Sequence, residues 1–390
     1  MKIVLFTHPS FLRYQSMPRF AQMIVNGMHS KGHEIKAWSP KPFFFKWALN
    51  KPKLEKWFGY LDQFVVFPIQ VKIRLLSTDK NTLFVFADNA LGPWVPLVSN
   101  RPHVVHCHDF LAQQAALGML AESKTAKTGT YYQSFIRWGY RQAENFICIS
   151  KKTQTDLLSF LDKKPKTARV VYNGLNQNFS PADNVQEVRI QLSSQFNIDL
   201  SQGFLLHVGG NAFYKNKMGV LEIYDQWNQD FAGQIPLLLI GEVPSEQLKT
   251  FASASAATNR IHFISNIDDK QLQLFYQAAS VMVFPSLYEG FGWPIVEAMA
   301  SGTLVITTNE DPMKEVAGHE GFYVAKRPSN TEELLNWKKK AAQVVENVLQ
   351  LSPEQENLAI AASVLRSKLF SAEEFMDAIE IAYQEILETK

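Results

Sequence analysis

Two glutamates eight residues apart, Glu289 and Glu297, bracket a turn that carries Gly290, Phe291, Gly292 and Pro294. Carboxylates accept hydrogen bonds from hydroxyl groups, and glycines let a backbone approach a ligand closely. The run 279–284 just upstream is short, apolar and β-branched, which predicts a strand buried on both faces of a parallel sheet and ended by Pro285. Pro294 suits the first turn of a helix and Gly302 its end, so the spacing predicts a helix over 294–301 with Glu297 in its first turn. The N–H groups of the loop and of that first turn, helped by the helix dipole, would hold a phosphate. With a carboxylate at each end, the corner matches the layout of a sugar nucleotide: sugar hydroxyls, diphosphate, ribose hydroxyls. An ordinary strand–loop–helix corner, in which Glu297 only complements the helix dipole, is the other reading that these residues allow.

A second corner repeats the arrangement. Residues 204–208 read as a strand, Gly209, Gly210 and Asn211 as a glycine loop, and a helix follows from Gly219, with Lys215 and Lys217 between. This too is a layout for holding a diphosphate. Residues 102–110 form a strand whose polar side chains lie at its carboxyl end, where ligands collect in open α/β sheets; His108 is the candidate there. His103 and His106 read as sheet and loop residues, and a metal site built from the three histidines is not expected, because i, i+2 spacing along one strand with no fourth ligand nearby does not suit one.

Glu289–Gly290–Phe291–Gly292 with Pro294, Glu297–Ala298 and Gly302 resembles the E-x7-E signature of glycosyltransferase family 4, the retaining nucleotide-sugar glycosyltransferases with the GT-B fold. The likeness runs from near residue 1 to about residue 385. It implies two Rossmann-like α/β domains facing a cleft, an acceptor domain over 1–180 completed by a helix from 372 to 390, and a donor domain over 181–371. It implies also that Lys215 pairs with the donor phosphates, that Glu289 binds sugar hydroxyls and Glu297 the ribose, and that His108 lies near the transferred sugar. Gly209, Gly210, Asn211, Lys217, Gly290, Phe291 and Gly292 would complete the donor site, and the loop 265–268 would meet a nucleobase, uracil or guanine. The expected reaction moves a hexose from a UDP- or GDP-sugar to a hydroxyl of a glycan or glycolipid acceptor, with retention. No Asp-x-Asp motif is present, so no metal or other cofactor is expected.

The chain departs from the family in two places. The glycine-rich loop usual after the first strand is replaced by 14–19, where Ser16, Arg19 and the helix start would have to serve the acceptor side. The arginine usual after the first loop glycine of the donor domain is replaced by Gly210 or Asn211, leaving Lys217 as a second cation. A GT-B epimerase or phosphorylase and a non-catalytic sugar-nucleotide-binding relative are the competing readings.

Composition sets broader bounds. A chain of 390 residues exceeds a typical single core, so two domains are expected. A net charge of +2 argues against general nucleic-acid binding. Cys107 and Cys148 both sit in apolar runs with nothing to pair them, which suits a reducing cytoplasm, and no apolar run approaches a signal peptide or a membrane span. Residues 41–60 stand apart: Lys41, Lys46, Lys51, Lys53 and Lys56 alternate with Phe43, Phe44, Phe45, Trp47, Trp57, Phe58 and Tyr60. Such interleaving suits peripheral contact with an anionic membrane at the inner face of the cell membrane, or else aromatics that join the core beneath solvated lysines.

Overall fold

The computed structural model describes every residue except 13–15, 49–50, 121, 176 and 389–390; the side chains of Ser16, Pro52 and Lys53 also lie outside the description. The chain divides into two compact units, Met1–Gly174 with Ala372–Lys390, and Leu175–Ser371. The division lies at Gly174–Leu175, a few residues before the boundary expected at 180 from the polar character of the segment that follows.

Unit 1 holds a parallel sheet of β1 (Lys2–Phe6), β2 (Glu34–Trp38), β3 (Leu83–Phe86), β4 (His103–Cys107), β5 (Asn145–Cys148) and β6 (Thr167–Val170), in the order β2-β1-β3-β4-β5-β6. Unit 2 holds β7 (Leu205–Gly209), β8 (Leu237–Gly241), β9 (Ile261–Ile264), β10 (Val281–Phe284), β11 (Leu304–Thr308) and β12 (Phe322–Val324), in the order β12-β11-β10-β7-β8-β9. Strands β3, β4, β5, β10 and β11 are buried along their whole length, as near-continuous apolar runs covered by helices on both faces must be. In such sheets ligands gather outside the carboxyl ends of the strands where the strand order reverses. Those switch points fall between β1 and β3 in unit 1 and between β7 and β10 in unit 2.

The core of unit 1 centres on Phe6, stacked on Phe86 with ring centroids 4.6 Å apart and flanked edge-on by Phe67 and Trp38. The helix Ala372–Glu388 belongs to this unit. It buries Phe375, Ile379, Tyr383 and Ile386, the Tyr383 hydroxyl lies 2.7 Å from His106 Nε2, and Glu380 meets His33 and Lys31 at 2.6 and 2.9 Å. Cys107 and Cys148 are neighbours in register on β4 and β5, but both thiols are free, and burial pushes the Cys107 thiol well up. Among the described residues no helix is long and apolar enough to cross a membrane.

Candidate functional site

The carboxyl end of β7 runs into Gly209, Gly210 and Asn211, then a short turn over Phe213–Lys215. Asn216, in the left-handed conformation at φ 53°, caps the helix Lys217–Phe231 by accepting from Gly219 N. Its amide also donates to Pro285 O at 2.8 Å, and Leu287 N donates to Tyr214 O at 2.7 Å. These two bonds lash the loop after β7 to the loop after β10.

Lys215 and Glu289 therefore meet across the switch point: Nζ lies 2.8 and 3.0 Å from the two carboxylate oxygens. Glu289 is largely buried, at 8% side-chain exposure, against 19% for Lys215, so the pair is shielded yet still open to a ligand on one side. The Phe284 and Tyr214 rings lie 5.5 Å from the ammonium. Beneath the loop, His207 Nδ1 donates to Val283 O at 2.9 Å, and its Nε2 is buried without a hydrogen-bond partner. Burial, reinforced by the Lys217 and Lys215 charges, lowers the His207 pKa to about 3, so the ring is neutral.

Lys217 is buried, and its ammonium donates to Asn211 Oδ1 at 3.0 Å. Burial pushes its pKa down while the Glu242 carboxylate opposes the shift. Glu242, at the end of β8, was not foreseen. It accepts from Asn211 N at 2.8 Å and packs against Gly210, where a built Cβ would lie 3.3 Å from Oε1. One of the loop N–H groups expected to meet a phosphate is thus engaged by a carboxylate. Lys215 faces one as well.

The helix after β10 spans Trp293–Ala300, one residue earlier than the spacing predicts, because Gly292 at φ 102° takes the N-cap position itself. Glu297 consequently lies beyond the first turn, and the dipole reading of this residue falls away. Its Oε2 accepts from the Tyr276 hydroxyl at 2.8 Å. Tyr276 is fully buried, and burial together with Glu297 raises its phenol well above the usual range, so it remains a neutral donor that fixes the carboxylate. Gly290 lies in the loop as expected. The Phe291 ring is buried edge-on against Phe370, 5.6 Å between centroids, which leaves its backbone rather than its ring for any ligand contact.

In unit 1, His108 follows β4 and is buried. Its Nε2 donates to Ala87 O at 2.8 Å, its backbone N–H bonds to Asn89 Oδ1 at 3.2 Å, and the Phe20 ring meets it edge-on at 4.4 Å. Burial lowers its pKa, although Asp88 and Ala87 oppose the shift. The Nε2 donor is thus engaged by the backbone. Arg19 is exposed on the helix Ser16–Ser30, and the side chain of Ser16 lies outside the described residues, as do Tyr14 and Gln15.

A pair missed in the sequence occupies the unit 1 switch point. His8, just after β1, holds Asp88, just after β3, at 2.8 Å, and Asp88 also accepts from Ala90 N at 3.0 Å. Burial alone would raise the Asp88 carboxyl, but the bond and charge of His8, with the nearby His108, outweigh it and hold the group below its usual value. No local motif marks this pair; only the adjacency of β1 and β3 brings it together.

Residues 188–360 match the family described as Glycosyl transferases group 1, and residues 17–179 match Glycosyltransferase Family 4. A 123-residue stretch is 33% identical to the O-antigen chain mannosyltransferase B of Escherichia coli, covering 31% of this chain and 32% of that protein; the match thus spans about a third of that relative's length. Among solved structures, Anabaena HepE in complex with UDP and glucose superposes with a TM-score of 0.72 at 16% identity, over 99% of this chain and all of that one. Sucrose-phosphate synthase from Thermosynechococcus elongatus gives 0.73 at 18% identity, over the full length of both. The two family matches, which between them cover most of the chain, and the likeness of fold over its whole length lead to one conclusion: the chain belongs to these glycosyltransferase families, Glycosyltransferase Family 4 over residues 17–179 and Glycosyl transferases group 1 over 188–360, and has the GT-B fold.

Proposed function

We propose that this glycosyltransferase moves a hexosyl group from a UDP- or GDP-sugar, bound by unit 2, to a hydroxyl of a glycan or glycolipid precursor, with retention of configuration and without a metal. The observation that carries the reading is the Lys215–Glu289 pair at the switch point between β7 and β10. A donor diphosphate replaces Glu289 as the counter-ion of Lys215, and the freed carboxylate accepts from sugar hydroxyls. In the same exchange Glu242 yields Asn211 N, and Lys217 supplies further positive charge. Glu297, fixed by Tyr276, accepts from the ribose hydroxyls.

The bond between the anomeric carbon and the leaving phosphate oxygen breaks as the acceptor oxygen bonds to the same face of that carbon. The acceptor proton passes to the departing phosphate. Lys215 and the loop N–H groups stabilise the charge on that phosphate, a role in which one pre-placed donor contributes roughly 3–4 kcal/mol. Neutral His108, its Nε2 already given to Ala87, shapes the acceptor side. A mannosyl donor is favoured by the name of the Escherichia coli relative, and a cytoplasmic site of action by the supply of nucleotide sugars.

Titration calorimetry with UDP, GDP, ADP and their sugar conjugates tests the donor assignment. One base binds tightly to the wild type, and Glu297→Ala weakens it about tenfold or more. The absence of binding to every nucleotide removes the proposal, and an absolute magnesium requirement for transfer removes its metal-free part. The engagement of Asn211 N by Glu242 favours one further reading, a sugar-nucleotide binder without transfer, which predicts binding but no turnover with any acceptor.

A further inference from the structure

Residues 52–75 of unit 1 wind as one long helix: Pro52–Leu61, a π turn over Asp62–Val66, then Phe67–Leu75, with right-handed backbone at both joins. Pro68 has no N–H to give the preceding turn, and the helix widens just before it. One face is core. Asp62, Gln63, Phe67 and Val71 are buried, and Phe67 packs on Trp94 at 4.7 Å.

The opposite face is apolar too, and it is exposed: Leu54, Trp57, Leu61, Val65, Ile69, Ile73 and Leu76, the last at 88%. Steps of four residues drift by about 40° each around an α-helix, so this stripe would wander without the wider π turn that falls inside it. At 1.5 Å per residue the helix is about 36 Å long. The stripe continues sideways, for Tyr60 stacks on Tyr132 at 5.7 Å and Phe64 meets Phe135 at 5.5 Å. Beyond them the helix Lys127–Tyr140 exposes Tyr131, Phe135 and Trp138.

Trp47 at 72%, Trp57 at 64% and Trp138 at 52% are the only exposed tryptophans of the eight in the chain, and all three lie here. The segment 43–47 is held ready, because the buried Asp62 carboxylate accepts from the backbone N–H groups of Phe43, Phe44 and Phe45, each at 2.9 Å. That carboxylate is therefore turned inward. Residues 41–76 carry seven basic and two acidic side chains, so the rest of a chain with net charge +2 is net acidic. Lys41, Lys46, Lys51, Lys56 and Lys72 are exposed around the apolar stripe.

A surface helix that is apolar on both faces needs a second apolar phase. Tryptophan favours the membrane–water boundary, and lysines around an apolar stripe meet anionic headgroups while their stems lie along it. We infer that this face, Phe43, Trp47 and the exposed residues from Leu54 to Leu76 together with Tyr131, Phe135 and Trp138, is a docking surface for an anionic phospholipid bilayer, lying in its interface without crossing it. The face also adjoins the acceptor side of unit 1, since Phe45 stacks at 4.7 Å on Phe11, in the segment that leaves β1. A bilayer held there would present lipid-linked hydroxyls near the β1–β3 switch point.

Flotation of the full chain with phosphatidylcholine vesicles, with or without phosphatidylglycerol, tests this. The wild type floats with the anionic vesicles and about tenfold less with neutral ones. Ile69→Asp with Ile73→Asp abolishes flotation; Trp57→Ser, a milder change at an exposed site, lowers it several-fold and shows the same direction if the double variant folds poorly. Lys46→Glu, Lys51→Glu and Lys56→Glu together remove the preference for the anionic lipid. Absence of wild-type flotation, or flotation that neither set of changes alters, overturns the inference. So does concentration-dependent self-association that the isoleucine changes abolish without any vesicle binding, which would assign the face to a second copy of the chain. Nucleotide binding, measured on the same samples, reports separately on the transferase reading, so either can fail alone.

Discussion

The two switch points are built from the same backbone device and filled with different chemistry. In unit 2 the residues past β7 and β10 are a lysine and a glutamate, a strong cation and anion bonded at 2.8 Å. In unit 1 the residues past β1 and β3 are a histidine and an aspartate, also at 2.8 Å. The Lys215 side chain, still 19% exposed, can leave one anion for another of higher charge. The hold of His8 on Asp88 lies instead between two largely buried side chains, and Asp88 is anchored by Ala90 N as well. Under the proposed function the first pair exchanges its anion for a diphosphate, whereas the second keeps its partners and fixes the local backbone.

Substitution at Lys215 has the largest expected effect on this contrast. Lys215→Ala lowers kcat/KM for transfer by about 10²–10³-fold, as loss of one charge-stabilising donor does elsewhere, and weakens nucleotide binding with it. The matched change, Asp88→Ala, leaves nucleotide affinity within about twofold but removes the acceptor that His8 and Ala90 N share, at a cost of about 1–3 kcal/mol in urea unfolding. Equal losses of nucleotide affinity in the two variants would break the contrast, and the donor could no longer be assigned to unit 2.

A smaller effect concerns acid. His106 in unit 1 and His207 in unit 2 both have pKa values lowered to about 3, above all by burial. Unfolded histidine titrates near 6.5, so below that pH the unfolded chain binds protons that the folded chain refuses. Stability is therefore complete above about pH 6.5 and declines as the pH falls towards 3. His207→Gln flattens this limb for unit 2 and His106→Gln for unit 1, each read from urea midpoints at stepped pH. A limb that neither change alters would assign the acid sensitivity to other groups.

Much of the fold was legible because buried parallel strands are written as unbroken apolar runs; 279–284 and 304–308 could hardly be anything else. The Lys215 and Glu289 corners were legible for a similar reason, since glycines, proline and charge are concentrated in short loops. What local sequence does not carry is strand order. His8 and Asp88 are eighty residues apart, and their meeting follows from β1 lying beside β3. Glu242 escaped notice likewise, because it reaches the β7 loop from the neighbouring β8. Residues 41–60 stood apart by composition, but the long helix of 52–75 was not legible, because apolar residues occupy both its faces and blur the periodicity that would have marked one. The Glu297 helix was displaced by one residue through the positive φ of Gly292, a backbone choice that Pro294 masked.

The helix Ala372–Glu388 fills the last part of the unit 1 core, although the strands of that unit all precede unit 2. On the ribosome this reverses the usual order of completion. The first six strands emerge early but must wait, with the groove that receives Tyr383 and Ile379 uncovered, while all of unit 2 is made and can fold. The unit whose strands are made before unit 2 is sealed only after it, and its exposed apolar groove is the surface that a chaperone would have to shield in the meantime.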